Sequence, residues 1–166
     1  MKNLPVLILI FISMGTSAYS QSKTYDIVSY DAPSGWIRND KTGSRGYSST
    51  DKGREVYGLI VIYPAIASSG DARKDFTASW SALVQPVFGT SIGPLPTAAI
   101  PQEGYEGLKG TSTGSSSGKL TTVTLVNYTG GGKTVSIVIG YTDLKYEPAV
   151  NKFLQSVRLK VVSSEK

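Results

Sequence analysis

The chain has 166 residues and a formal net charge of +5, and it contains neither cysteine nor histidine. Without these two residue types it cannot form disulfides, use a thiolate, or build the imidazole base of Ser-His-Asp and Cys-His catalysis. Metal sites that depend on Cys or His are excluded as well, so only oxygen-ligand sites for hard cations remain.

Residues 1–20 have the pattern of a secretory signal peptide. Lys2 provides the positive start, residues 4–12 form an apolar run, and Ala18 and Ser20 place two small side chains before a cut at Gln21. The apolar run is shorter than the roughly 20 residues that a membrane-spanning helix needs. We therefore predict an exported protein, periplasmic or extracellular, with no membrane span.

The mature chain, residues 21–166, has the size of a single domain. A domain of about this length buries roughly 68–70% of the surface that its unfolded chain exposes, so it can hold a core without disulfides. An exported chain without cysteine is typical of the bacterial envelope rather than of small disulfide-stapled modules. The modest positive charge favours solubility, and export argues against a nucleic-acid partner.

β-formers and turn residues divide the first part of the mature chain into extended segments. Residues 25–30 predict a first strand, residues 33–35 a turn, and residues 38–54 a polar, glycine-rich hairpin. Residues 55–63 predict the clearest strand, because apolar side chains occupy both of its faces, and Pro64 ends it. A strand that is apolar on both faces is expected at the centre of a sheet.

An amphipathic helix is predicted next, from about Asp71 to Gln85. Its apolar side chains recur at helical spacing, at Phe76, Trp80, Leu83, Val84 and Val87. Because the residue before a proline avoids the α conformation, Pro86 is predicted to stop the helix. Residues 89–101 predict a long apolar loop that contains three prolines.

Three successive antiparallel strands are predicted for the second part of the chain. They are residues 105–113, 120–128 and 133–141, with hairpin turns at 114–118 and 130–132.

A second amphipathic helix is predicted from about Tyr146 to Ser156, since apolar residues recur along it at helical spacing. Residues 157–161 alternate between apolar and basic side chains and predict an edge strand. Antiparallel strands in series with two amphipathic helices predict an α+β fold, in which a sheet is flanked by helices on its faces.

Two short motifs resemble catalytic signatures but fit hairpin turns better. Gly114 to Gly118 matches G-x-S-x-G, a strained strand-to-helix elbow whose serine needs a histidine, yet two predicted strands flank it. Gly132-Lys133-Thr134 resembles the end of a phosphate-binding loop, but a strand follows it and Asn127 stands where the first glycine is required. We interpret both motifs as turns.

Carboxylate pairs remain as a route to catalysis, because glycoside hydrolysis needs no histidine. The candidate pairs are Glu103 with Glu106, Asp51 with Glu55, and Asp143 with Glu147. They fall at the edges of predicted strands and loops, and nothing in the sequence places them in a cleft. Asp71 and Asp75 fall in the first turns of a helix, where interaction with the helix dipole explains them. No calcium-type loop is present in the sequence, so we predict no metal and no cofactor.

Aromatic residues are the best candidates for a binding surface. The chain has 10 Tyr and 2 Trp, and such rings offer apolar area with a polar tip. Most of them fall on predicted core faces. Tyr47, Tyr105 and Tyr128 are the three that we predict to be exposed and to contribute to ligand binding.

Residues 30–36, Tyr-Asp-Ala-Pro-Ser-Gly-Trp, resemble the strand and Pro-x-Gly-Trp opening of PsbP/Mog1/DcrB-like domains. Residues 75–84 and the closing segment 146–159 are similar to helices of small exported proteins of Bacteroidetes associated with that group. The resemblance covers residues 25–160 and implies an antiparallel sheet flanked by helices, an α-β-α sandwich. Members serve as accessory, assembly or binding proteins, so the resemblance implies no catalytic residue.

These observations support three functional hypotheses. The leading one is an exported, non-enzymatic accessory or binding domain, with an envelope protein or a glycan as its partner. The second is a histidine-free carboxylate enzyme that acts on glycans. The third is an inhibitor or stress-protective envelope protein that presents the loop 89–101.

Overall fold

The computed structural model describes residues 22–90 and 93–161. The predicted signal peptide, residues 1–20, and the predicted cut before Gln21 lie outside these ranges. In the part of the chain that is described, no helix is long and apolar enough to cross a membrane.

Strands dominate the described residues. The strands are β1 (Ser22–Tyr25), β2 (Val28–Asp31), β3 (Ile37–Lys41), β4 (Ser44–Asp51), β5 (Val56–Ile62), β6 (Ile66–Ala67), β7 (Thr97–Ala98), β8 (Glu106–Ser116), β9 (Lys119–Gly130), β10 (Lys133–Tyr141) and β11 (Arg158–Leu159). The helical segments are α1 (Ala72–Ser79), a π-helical turn (Trp80–Val84), α2 (Gln85–Phe88), a 3₁₀ turn (Leu144–Tyr146) and α3 (Glu147–Ser156). The α+β class predicted from the sequence is confirmed.

The strands build two antiparallel sheets that form layers with the helices. The order is β3-β4-β5-β10-β9-β8-β7 in the larger sheet, with β6 also paired to β10, and β1-β2-β11 in the smaller sheet. Helix α1, the π-helical turn and α2 pack on one face of the larger sheet, against β8 and β9. Helix α3 and the small sheet cover the other face and share a core with β5, β9 and β10. The predicted sheet with helices on both faces is therefore present.

Strand β5 lies inside the larger sheet, between β4 and β10. Ile60 and Ile62 are fully buried in the core on the α3 side, while Leu59 packs against the core on the α1 side. The prediction of a central strand with cover on both faces is confirmed. On the α1 side the cover is incomplete, because α1 lies over β8 and β9 and leaves space beside it over β5.

The first predicted strand, residues 25–30, is wrong in its extent, because this segment is a hairpin. Strands β1 and β2 pair across a turn at Asp26 and Ile27, and Asp26 has a φ of +53°. Aspartate tolerates this left-handed conformation better than most residues. Its carboxylate accepts a hydrogen bond from the Ala65 amide at 2.7 Å, so the turn also joins the small sheet to the segment after β5.

The predicted stop of the first helix at Pro86 is wrong, because the helix continues to Phe88. The Gln85 amide donates to the Trp80 carbonyl, five residues back. This widened turn makes room for a proline, which lacks an amide hydrogen and clashes in a regular α-helix. Gly89, with a φ of +61°, ends the helix in the left-handed conformation.

Both predicted hairpin turns of the second half exist, but the first is shorter than expected. Strand β8 runs through Gly114, and the turn consists of Ser117 and Gly118, both with positive φ. The G-x-S-x-G segment is therefore mostly strand, and no helix follows it. The turn at 130–132 is confirmed, with Gly131 and Gly132 between β9 and β10.

The closing helix and strand are confirmed in position. Helix α3 buries Val150, Phe153 and Leu154 against the sheet. Strand β11 then pairs with β2 over two residues, so the predicted edge strand at 157–161 is shorter than the alternating pattern.

Candidate functional site

The tyrosines predicted as an exposed binding surface do not form one. Tyr47 is 4% exposed and Tyr128 is fully buried, so the prediction of exposure is wrong for both. Their strands, β4 and β9, lie inside the larger sheet and turn these rings toward the core beneath α3. Tyr105 is half-buried, and its hydroxyl donates to the Lys160 carbonyl at 3.0 Å.

The buried rings have structural partners. The hydroxyls of Tyr30 and Tyr47 lie 3.1 Å apart, and burial, followed by this hydrogen bond, raises the pKa of Tyr47. Burial likewise raises the pKa of Tyr128. Neither phenol ionises at neutral pH, and each acts as a core side chain with a polar tip.

The predicted carboxylate pairs do not face one another across a cavity. Asp51 forms an ion pair with Lys145 at 2.6 Å, and Glu55 forms one with Lys119 at 3.2 Å. Asp143 instead caps the 3₁₀ turn by accepting a hydrogen bond from the Lys145 amide. The remaining candidates, Glu103, Glu106 and Glu147, are exposed.

A cavity of about 600 Å³ opens at the place where the cover of the sheet is incomplete. It lies between α1 with its π-helical turn and residues 63–69, which lead from β5 to α1. Its apolar walls include Tyr63, Pro64, Ile66, Ala78, Ala82 and Leu83. Its polar side includes Ser68, Ser69, Asp75, Ser79, Thr134 and Ser136. A volume of this size is typical of small-molecule sites in proteins.

The polar side of the cavity arises from two matched patterns. Asp75 and Ser79 are four residues apart on α1 and therefore share one face of the helix. Below them, the register of β9 and β10 pairs Asn127 with Ser136 and Thr129 with Thr134. Because alternate residues of a strand share a face, these polar side chains all point toward α1.

The Asp75 carboxylate lies at the centre of this polar network. Its Oδ2 accepts hydrogen bonds from the hydroxyls of Ser68 and Thr134, both at 2.6 Å, and from Thr129 at 3.3 Å. Its Oδ1 accepts from the Ser69 amide at 3.0 Å. Burial by itself would raise the pKa of Asp75, but the hydrogen bonds from Ser68, Ser69 and Thr134 outweigh it and hold that pKa well below its usual value. Asp75 is therefore a negative charge at neutral pH, although the residue is only 8% exposed.

No cation among the described residues compensates this charge. The ion pairs formed within residues 22–90 and 93–161 do not include Asp75. Within the same ranges, no three acidic side chains come together as ligands for a metal ion. The cavity thus presents an anionic oxygen that is held only by hydroxyl and amide donors.

Ser79 completes the polar side without becoming a nucleophile. Its Oγ accepts from Asn127 Nδ2 at 2.8 Å and from Ser136 Oγ at 3.1 Å. Neither partner is a base, and no hydrogen bond joins Ser79 to the Asp75 carboxylate in the described structure. The arrangement offers charge and hydrogen bonds rather than an activated hydroxyl.

A smaller cavity of about 180 Å³ adjoins the first along the helix. The two share Tyr63 and Leu83, and the smaller one continues over Leu59 and Val61 of β5 toward Val87. The two cavities follow the uncovered part of the sheet, so a largely apolar groove leads away from the Asp75 carboxylate.

Sequence reasoning missed this site. The small polar residues of β10 alternate with apolar ones, which is the pattern of a strand with one solvent face. The available signal was the spacing of Asp75 and Ser79, which places two polar groups on the same side of an amphipathic helix.

No protein-family model matches the chain, and no curated protein matches it. Among solved structures, one from Bacteroides thetaiotaomicron VPI-5482 has a TM-score of 0.52 and 14% sequence identity. The match covers 84% of this chain and 47% of that one, so this chain spans about half of its length. LpqN, a protein involved in cell envelope biogenesis of Mycobacterium tuberculosis, has a TM-score of 0.53 and 14% identity, with 88% of each chain covered. At such identity the likeness shows a shared fold.

Proposed function

We propose that this chain is an exported, non-enzymatic binding domain of the cell envelope, and that the cavity beside α1 is its ligand site. The observation that carries the proposal is the cavity itself, which combines about 600 Å³ of largely apolar space with one buried, ionised carboxylate. Apolar walls with a few fixed polar groups are the usual composition of ligand sites.

Two observations support the location of this protein in the cell envelope. Residues 1–20 have the pattern of a cleavable export signal, and LpqN, which shares the fold, is described as involved in cell envelope biogenesis. The motif resemblance to PsbP/Mog1/DcrB-like domains, whose members are accessory or binding proteins, agrees with this assignment. A fold alone does not determine function, so the cavity remains the principal support.

The two alternative hypotheses have no observation of their own in the described structure. The two cavities described above and a third cavity, which is lined by Glu55, each contain at most one carboxylate. Glycoside hydrolysis needs two. The described part of the loop 89–101 is attached to the sheet, because β7 pairs with β8 and Ala99 donates to the Gly107 carbonyl. Residues 97–99 of such an inhibitory loop are therefore engaged in the sheet and are not free to enter a partner's cleft.

The proposal is tested by filling the cavity and measuring binding of an uncharged apolar fluorophore, N-phenyl-1-naphthylamine. Ala82 and the neighbouring Ser81 are both exposed, but only Ala82 lines the cavity. We expect the mature protein and the Ser81→Phe control to enhance the emission of the probe, and Ala82→Phe to abolish most of the enhancement.

Equal binding by both variants, or no binding by the wild type, would contradict the ligand site. Export is checked in the same preparation. When the full chain is expressed, the protein recovered from the periplasm or medium should begin at Gln21, and an uncleaved cytoplasmic product would contradict export.

A further inference from the structure

We propose that the ligand of this cavity carries a primary ammonium group on an apolar body, with the ammonium bound by Asp75 and the apolar part lying along Tyr63 and Leu83. This inference rests on the proposed function, because it names the chemical class that the same site accepts.

The charge of the site selects a cation. Asp75 is ionised, borders the cavity and has no ion-pair partner among the described residues. In the described structure Oδ2 accepts from three hydroxyls and Oδ1 accepts from Ser69, so Oδ1 is the less occupied of the two oxygens. A charge-assisted hydrogen bond in a partly apolar site is stronger than one between neutral groups, and an anionic ligand is repelled there.

The donors around Asp75 favour an ammonium over a metal ion. A calcium ion takes six to eight oxygen ligands, typically several of them carboxylates, and Asp75 is the one carboxylate that lines this cavity. The hydroxyls of Ser68 and Thr134 already direct their protons at Asp75. An ammonium needs a single acceptor of this kind, and the same cavity is lined by the hydroxyl of Ser136, which donates to Ser79 and keeps its lone pairs as acceptors.

The walls require an apolar body behind the ammonium. Tyr63 and Leu83 border both the large cavity and its 180 Å³ extension, so a chain that starts at Asp75 has continuous apolar surface along the helix. Ile66, at the rim, is 57% exposed, and covering it together with the two wall residues releases water from apolar surface. A free ammonium ion has no apolar part to cover these residues and therefore gains no binding free energy from the release of water.

The occupant is tested with three probes of equal length at neutral pH: n-hexylamine, 1-hexanol and hexanoate, titrated into the mature protein by calorimetry. We expect hexylamine to bind about tenfold tighter than hexanol or better, and hexanoate to bind weakest. In ¹⁵N spectra the Ser69 amide, which donates to Asp75, should shift with hexylamine and not with hexanol.

Two variants separate the charge from the fold. Asp75→Asn should bring the ratio of hexylamine to hexanol affinity to about one while leaving hexanol binding in place. Asp71→Asn removes a carboxylate from the exposed N-cap of the same helix, outside the cavity, and should keep the wild-type ratio, because asparagine also serves as an N-cap. The ratio is measured within each variant, so a general loss of stability does not imitate the effect. If Asp75→Asn fails to fold, the ammonium assignment is still tested by the wild-type ratio of hexylamine to hexanol affinity and by the ¹⁵N shift of the Ser69 amide.

Equal affinity of the wild type for hexylamine and hexanol, or an unchanged preference in Asp75→Asn, would overturn the ammonium assignment while leaving the ligand site in place. Absence of binding for all three probes and for the naphthylamine fluorophore would overturn the proposed function instead.

Discussion

Asp75 keeps its negative charge within the protein because neutral donors surround it. Ser68 and Thr134 each donate at 2.6 Å, and the Ser69 amide adds a third short bond. The residue also lies in the first turn of α1, where the helix dipole favours a negative charge. The dipole explanation drawn from the sequence is therefore incomplete, since the hydroxyl donors come from the loop before α1 and from β10.

The lowered pKa of Asp75 predicts an acid-sensitive contribution to stability. The unfolded carboxyl has a pKa of about 3.9, and folding lowers it, so the contribution is complete above about pH 5 and is lost as the pH falls toward the folded pKa. Asp75→Asn should lower the free energy of unfolding by about 1–3 kcal/mol at neutral pH. When measured by urea denaturation, the difference from the wild type should be the same at neutral pH and at about pH 5, and it should be smaller at about pH 3.

Thr134→Val serves as the control for this prediction, because it keeps the carboxylate and removes one of its donors. Removing the donor moves the folded pKa of Asp75 toward the pKa of the unfolded chain, so the acid-sensitive contribution should be smaller than in the wild type and should be lost completely at a higher pH. A difference between Asp75→Asn and wild type that stays constant over the whole pH range would show that Asp75 does not contribute in this way.

At the level of elements, the position of the helical segment α1 to α2 decides where the cavity lies. The segment passes over β8 and β9, and its π-helical turn lets it continue through Pro86 to Phe88. Close contact at its end depends on Gly114 in β8, because a Cβ atom there would lie 2.3 Å from the Phe88 carbonyl oxygen. This glycine of the G-x-S-x-G segment is thus a packing position.

Gly114→Ala should therefore destabilise the protein by about 1–3 kcal/mol, the usual effect of overpacking. Ser115→Ala, at the exposed next position of β8, should change stability by less than about 0.5 kcal/mol. Thermal unfolding of the two variants beside the wild type measures the difference. Comparable stability of Gly114→Ala and wild type would show that α2 is not seated against β8 as described.

For the whole molecule, the end of the chain connects the small sheet to the long loop before β8. Arg158 and Leu159 pair with β2, and the Lys160 amide donates to the carbonyl of Ile27, just before β2, at 2.9 Å. The Leu159 amide donates to Gln102 at 3.2 Å, and Tyr105 donates to the Lys160 carbonyl at 3.0 Å. Three distant parts of the chain therefore meet at its last described strand.

Deleting the chain from Arg158 onward should remove these hydrogen bonds together. At about 0.5–1.5 kcal/mol net for each bond, we expect the free energy of unfolding to fall by about 2–4 kcal/mol in urea denaturation. A chain shortened only after Val161 retains every one of these bonds and controls for the truncation itself. Equal stability of the two shortened chains would contradict this role of β11.

Most elements of the fold could be predicted from the sequence, because they depend on local periodicity. The central strand β5, the three strands β8 to β10 and the helix α3 follow patterns of apolar residues that span fewer than about a dozen positions. The turn at Asp26 and the passage of the helix through Pro86 could not be predicted in this way. Each depends on a backbone conformation that neighbouring elements stabilise rather than on a repeating pattern.

The candidate site could not be predicted from sequence patterns for a related reason. Thr134 and Ser136 alternate with apolar residues on β10, and the alternation is the same whether solvent or a helix covers the polar face. Tyr47 and Tyr128 show the opposite error, since exposure was predicted for two rings that did not fall on a predicted core face, and the inner strands bury both.

The sequence by itself determined the α+β class, the alternation of most strands and the exclusion of cysteine and histidine chemistry, since these follow from composition and near-neighbour spacing. Only the tertiary structure decided that α1 lies over β8 and β9 and leaves one face of β5 partly covered, and that Asp75 contacts polar side chains of β9 and β10 beneath it. Burial and charge at a site depend on which distant segments pack together, and that packing brings residue 75 into contact with residue 134.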